Sequence, residues 1–402
     1  MKRRPVKITG IGPVTPAGIG REEFWKGILE PVSRVRPYTK LGTEYGPLVA
    51  AFLGDFDVDR YLERGTLPKG ASRQTMFAAA GAALAVTDAG ISWEELDAAN
   101  GAIITGSSLM DFGNIGSSID AVARRGPRGA QPRALYAMGI SSVPSSVNQA
   151  LAMNARTMAI STQCSAGMDA IGYAAEMVAT GKADLALCGG AEAPLHRFPL
   201  MELRAAELTP ATTDMPERLA RPFDLWRTTG VVSEGACMFV LEPETSPRPG
   251  YSYIAGYAFA NDDGADICSG MRAAASLAAA EARIRPSEIE ALFAWGPGHK
   301  EVDAGEARAM VRLLGGDLAT IPAVSLQGAI GTTLGATPAI QIAAAALAQR
   351  TGTLPPTVNW THPDPACPLN LSREARVVGH GVTLVNAHGA GGVNASVILR
   401  RC

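Results

Sequence analysis

The chain has 402 residues, a formal net charge of -2, 47% hydrophobic residues and 18% charged residues. That much apolar material supports two or more domains, or one large duplicated unit. The near-neutral balance excludes the electrostatic footprint of a nucleic-acid binder. No run of ~18 apolar residues marks a membrane span, and no apolar stretch follows Lys2-Arg3-Arg4 as it would in a secretory leader. The cysteines at 164, 188, 237, 268, 367 and 402 form no C-x-x-C pair and no zinc spacing, which points to a reducing, cytoplasmic setting and no metal site.

In chain order, 6–11 reads as a strand stopped by glycine. The stretch 75–90 has helical apolar spacing and ends in Gly90. Strands follow at 102–105 and 157–162. A helix covers 165–180, with Met168, Ile171, Ala175 and Val178 on one side, and 184–188 is a buried strand. The second half repeats the alternation: strand 253–259, helix 271–284, a stretch at 289–295 leading to a glycine-rich turn, helix 304–314, strand 322–326 and an alanine-rich buried helix at 335–349. Strands 382–386 and 396–399 flank the run Gly389-Ala390-Gly391-Gly392. Such alternation predicts a largely parallel sheet covered by helices. The Pro-, Ser- and Gly-rich segment 242–250 divides the chain into halves 1–245 and 246–402. Strand, Cys164 turn and helix in one half echo strand, Thr332 turn and helix in the other, as an internal duplication would.

Cys164 stands where a strand turns into a helix. Unpaired N–H groups and the helix dipole favour a thiolate there, so its pKa is expected to fall. The same N–H groups suit a developing oxyanion. The segment S-T-Q-C-S-A-G-M-D-A-I-G around it resembles the nucleophile segment of β-ketoacyl-ACP synthases, closest to the ketosynthase subunit of type II polyketide systems. The resemblance runs along nearly the whole chain. It includes V-K-I-T-G-I-G-P-V-T-P-A-G from Val6, F-W-K-G-I at 24–28, A-L-C-G-G-A-E-A-P-L from Ala186, R-P-F-D at 221–224, E-G-A at 234–236 and N-A-H-G-A-G-G-V-N from Asn386. It implies a thiolase fold: two βαβαβαββ halves in a five-layered αβαβα arrangement, forming a dimer. It also implies an acyl carrier protein as partner, whose phosphopantetheine arm carries the substrate, with no bound cofactor.

Family members use a Cys-His-His triad, and this sequence departs from it. W-G-P-G-H-K puts Trp295 at the first histidine position, with Pro297 and His299 in place of two pantetheine-binding threonines. Q-G-A-I-G-T-T-L-G-A puts Gln327 at the lysine position and Thr332 at the second histidine position. A positioned acid–base group is worth ~10²–10⁴ in rate, so ordinary malonyl decarboxylation is expected to be crippled. The second oxyanion donor of the family maps to the Ala390 N–H, between Gly389 and Gly391, where a gatekeeper Phe is usual. His388 and His299 are the candidate substitute bases, since a Cys–His pair makes a plausible acyltransferase. Asp224 and Glu234 read as structural. Arg124, Arg125, Arg128 and Arg133 read as a solvated loop, the alternative being a surface for an acidic carrier protein.

Three functions compete. In the first, Cys164 accepts an acyl group from a carrier-protein or CoA thioester and passes it to a non-malonyl acceptor. In the second, the chain is an inert partner like a chain-length factor, heterodimeric with a ketosynthase. Gln is usual at the nucleophile position of such partners; here the cysteine is kept and Gln163 lies beside it. In the third, the chain is a true condensing enzyme whose bases have moved to His299 or His388.

Overall fold

Two strand–helix series follow one another along the chain, and each builds the same five-stranded sheet. The computed structural model describes residues 4–402 apart from 64, 265 and 380; Lys2 and Arg3 of the basic start lie outside the described residues. The first series consists of β1 (Val6–Thr15), β2 (Gly101–Gly106), β3 (Arg156–Ile160), β4 (Leu185–Glu192) and β5 (Gly235–Pro243). Their order in space is β3-β2-β4-β5-β1, with β2 parallel to β3 and β4, and the pairs β4–β5 and β5–β1 antiparallel. The second series consists of β6 (Ser252–Asn261), β7 (Ala291–Phe293), β8 (Ala323–Val324), β9 (Val382–Gly389) and β10 (Val393–Arg401). Its order is β8-β7-β9-β10-β6, with the same parallel and antiparallel pairs. The duplication suggested by the Cys164 and Thr332 turns is therefore a duplication of topology. The two sheets meet through β1 and β6, where Lys7 pairs with Tyr253 and Ile8 with Ser252.

Five helices complete the layers: α1 (Arg73–Ala89), α2 (Ala166–Ala179), α3 (Ser269–Ala282), α4 (Lys300–Leu314) and α5 (Thr337–Thr351). Helices α2 and α5 touch each other and both half-sheets. Helix α1 covers the outer face of the first sheet, and α3 with α4 covers the second. The result is α–β–α–β–α. A helix in the middle layer has no solvent side, and every α5 residue from Thr337 to Gln349 is buried. Small residues permit the close approach: a Cβ on Gly167 would lie 2.6 Å from the Gly335 carbonyl oxygen. Among the described residues, no helix is long and apolar enough to cross a membrane.

Two sequence expectations need correction. Strand β5 is absent from the sequence reading, because its first eight residues are buried on both faces and show no alternation. The arginine stretch is not a loop. Arg124 and Arg125 end the helix Phe112–Arg125, capped by Asp111 on the Gly113 and Asn114 N–H groups, and Arg133 lies in the helix Pro132–Ala137. All four arginines are exposed.

Candidate active site

Cys164 stands two residues before α2, at the end of a turn that leaves β3. Gln163 takes a left-handed φ of 54°, uncommon for a side chain without special local hydrogen bonding. Side chains hold this bend. The Ser165 hydroxyl donates to the Thr162 carbonyl at 2.7 Å, and the Thr162 hydroxyl donates to Asp169 in the first turn of α2. Asp169 is itself buried and accepts the Tyr257 hydroxyl at 2.6 Å. Tyr257 belongs to β6, so the second half of the chain braces the turn of the first that carries Cys164.

The closing loop meets Cys164 from the other side. A Cβ on Gly389 would lie 2.9 Å from the Gln163 Cβ and 3.0 Å from the Cys164 nitrogen. The Ala390 N–H of this loop acts to lower the Cys164 pKa. Ala390 and Gly391 are not covered by bulk: Ala390 is exposed, and no large side chain of this loop shields the thiol.

The expectation of a lowered thiol pKa is overturned. Burial first, and then the nearby Glu192, push Cys164 up to about 11 against the pull of the Ala390 N–H and the Ser108 hydroxyl. Desolvation of a charge outweighs the helix terminus here. Glu192 ends β4, is wholly buried, and accepts N–H groups from Ser108 at 2.7 Å, Leu109 at 3.2 Å and Gly335 at 3.2 Å. Burial raises its own pKa to about 7. Sequence reasoning does not single out Glu192 or Ser108. The only signal is the glutamate closing the A-L-C-G-G-A-E run.

Trp295, Gln327 and Thr332 come together as a chain of hydrogen bonds. The Thr332 hydroxyl donates to the Gln327 amide oxygen, and the Gln327 amide nitrogen donates to the Trp295 carbonyl. The main chain on either side of Trp295 is held as well. The Trp295 and Gly296 N–H groups both donate to Glu306 at 2.9 Å, and Gln341 donates to the Ala294 carbonyl at 2.7 Å. Gly335, three residues beyond Thr332, reaches Glu192 and so ties this cluster to the Cys164 side.

His388 lies in β9 opposite Asn394, and its Nδ1 is 2.9 Å from the Asn394 side-chain oxygen. The Asn394 amide nitrogen donates to Ala260, Asp262 and Gly392, so His388 Nδ1–H is the donor in that bond. His299 precedes α4, with a buried Nδ1 that lacks a hydrogen-bond partner. Burial lowers its pKa, and the charges acting on it are Glu301, Glu207 and Arg227, none of which acts on Cys164. Asp224 and Glu234 hold main chain, and Glu234 a half-buried ion pair with Arg73. Asp224 accepts the Trp226, Thr361 and His362 N–H groups, and Glu234 takes the Leu53 N–H and a forked Arg73 guanidinium.

Comparison with known proteins agrees with this geometry. The beta-ketoacyl synthase N-terminal domain matches residues 3–246, and the C-terminal domain matches residues 251–361. A putative polyketide beta-ketoacyl synthase 1 of Streptomyces virginiae is 31% identical over 423 residues, covering 99% of this chain and 98% of the relative. The 3-oxoacyl-acyl-carrier-protein synthase 2 of Coxiella burnetii is 29% identical over 412 residues, covering 100% of this chain and 99% of the relative. The solved ishigamide ketosynthase/chain length factor superposes with a TM-score of 0.92 at 28% identity over 100% of both chains. With both domain models matched in order around a cysteine at the head of a central helix, the chain belongs to the β-ketoacyl synthase family, the thiolase-fold condensing enzymes of fatty-acid and polyketide synthesis.

Proposed function

We propose that this protein is an acyl-transferring member of the family. Cys164 takes an acyl group from the phosphopantetheine thioester of an acyl carrier protein, or from CoA, and passes it to an acceptor other than a decarboxylated malonyl unit. The observation that carries this reading is the closed chain Thr332–Gln327–Trp295. Its members are neutral and bond to one another, so none offers a cation or an imidazole to a malonyl thioester. What supports acylation is the bent turn at Gln163, the helix head behind Cys164 and the closing loop packed against Cys164 at Gly389. In the acylation step, the Cys164 sulfur attacks the thioester carbonyl, and backbone N–H groups of Cys164 and Ala390 hold the oxyanion.

The test is intact mass after incubation with a panel of acyl-ACP and acyl-CoA donors, beside Cys164→Ala. A gain equal to the acyl group, absent in the variant, supports the reading. No adduct with any donor sinks it.

The second reading, an inert partner subunit, differs from the first in what pairs with the exposed edge of the first sheet. Strand β3 ends that sheet with Arg156, Thr157 and Met158 exposed, a template for pairing with another chain. Either a homodimer or a heterodimer with a ketosynthase-type subunit would cover this face, and mass determination in solution distinguishes them. Malonyl-ACP turnover above the Cys164→Ala control, lost in His388→Ala or His299→Ala, would instead assign condensation with a relocated base.

A further inference from the structure

We propose that His388 is a positioning residue: by donating its Nδ1–H to Asn394, it fixes the amide that ties the closing turn 389–392, packed against the Cys164 turn, to Asp262. The consequence for acyl transfer rests on the reading above; the tie itself does not.

Strand β9 turns His388 away from the thiol. Side chains alternate along a strand. Thr383 and Gly389 share one face: the Gln349 amide of α5 donates to the Thr383 hydroxyl at 3.1 Å, and a Cβ on Gly389 would meet the Gln163 Cβ and the Cys164 nitrogen. Asn386 and His388 share the other, where the Asn386 amide nitrogen donates to Glu306 of α4 at 3.1 Å. The His388 imidazole therefore stands on the α4 side of the sheet, and the Cys164 turn lies on the α5 side.

On that face His388 meets Asn394, its cross-strand partner in β10. Asn394 is wholly buried. Its amide oxygen takes the His388 Nδ1–H at 2.9 Å. Its amide nitrogen reaches Asp262 Oδ1 at 2.7 Å, the Gly392 carbonyl at 3.0 Å and the Ala260 carbonyl at 3.3 Å. Asp262 grips the same turn, its N–H donating to the Gly392 carbonyl at 2.8 Å. Its carboxylate accepts the Cys268 N–H at 3.0 Å and the Gly270 N–H at 2.9 Å. The turn closes on itself through the Gly392 N–H and the Gly389 carbonyl at 3.1 Å, and a Cβ on Gly392 would lie 2.9 Å from the Asp262 Cβ. An amide accepts at one end and donates at the other, so the donor at 388 sets which end of Asn394 faces Gly392 and Asp262. Without that donor a buried amide oxygen is stranded, and the turn that carries Gly389 loses its fixed anchor.

Two isosteres separate positioning from base catalysis. Asn carries its amide nitrogen where histidine carries Nδ1, and Gln where histidine carries Nε2. Amide hydrogen exchange followed by mass reads the tie with no acyl donor present, so its failure is distinct from failure of the acyl-transfer reading. In His388→Ala and His388→Gln, peptides covering 258–263 and 386–394 should exchange ~10-fold faster, with 337–349 unchanged, whereas His388→Asn should match wild type. Acyl-adduct formation on Cys164 should fall ~10-fold in His388→Ala and His388→Gln and recover in His388→Asn. Unchanged exchange in His388→Ala overturns the proposal. So does a loosened turn with an unaltered adduct rate, and so does a His388→Asn variant that behaves like His388→Ala. An adduct rate kept by Gln and lost in Asn also overturns it, since that is the pattern of a base working through Nε2. If His388→Ala fails to fold, the Asn and Gln variants carry the same comparison.

Discussion

The Thr332 hydroxyl donates to the Gln327 amide oxygen, and through that amide the turn at 332 is bonded to the Trp295 carbonyl. Gln327 is fully buried, and an amide is the side chain that accepts on one end and donates on the other. Gln327→Glu should place a carboxylate oxygen against the Trp295 carbonyl. We expect a loss of ~1–3 kcal/mol at neutral pH, recovered in part at low pH, where the protonated acid can donate. Urea unfolding at two pH values checks it; equal losses at both would count against the bond.

Glu192 makes stability depend on pH. Unfolded, its carboxyl ionises near 4.5, whereas folded it keeps its proton until about 7. Between those values the native state binds more protons, so this group's contribution is fully present below 4.5 and is lost as pH rises through 7. A tenfold difference in proton affinity between folded and unfolded chain is worth ~1.4 kcal/mol. Glu192→Gln should flatten the stability profile over that window relative to wild type, measured by denaturant unfolding. Parallel profiles would show that the proton is not held.

Tyr257→Phe removes the 2.6 Å bond to Asp169 and keeps the aromatic ring. It should cost ~1–3 kcal/mol, the usual penalty for stranding a buried acceptor. Because Asp169 also holds Thr162, the turn at Gln163 should loosen, and the acyl-adduct rate should fall more than the stability change alone explains. A stability loss with an unchanged adduct rate would limit this network to a structural role.

Gly389→Ala puts a methyl group 2.9 Å from the Gln163 Cβ and 3.0 Å from the Cys164 nitrogen. Both neighbours belong to the bent turn that carries Cys164, so the clash falls on that turn. Acyl-adduct formation should drop at least ~10-fold, since small displacements of reacting groups are expensive in rate, with the protein still folded. Intact mass and a melting curve on the same sample decide it.

Much of this molecule is legible in the chain itself. Strand and helix periodicities are local properties, and they mark eight of the ten sheet strands and all five layer helices. The alanine-rich run that forms α5 announces a helix buried on every side. Cys164 before Ser165-Ala166-Gly167 announces a cysteine at a helix head, because turn and helix start are written in adjacent residues. Strand β5 escapes such reading because burial on both faces erases the alternation by which strands are recognised. The helix ending at Arg125 is hidden by the glycine and proline that follow it.

What only the tertiary structure decided is the chemistry around the thiol. Ser108 and Glu192 are 84 residues apart, and Glu192 and Gly335 are 143 apart, yet they share one buried space. No local pattern links them. Desolvation and Glu192 push the half-buried thiol up rather than down, because the energy of an ion depends on what surrounds it in space, which neighbours in sequence do not specify.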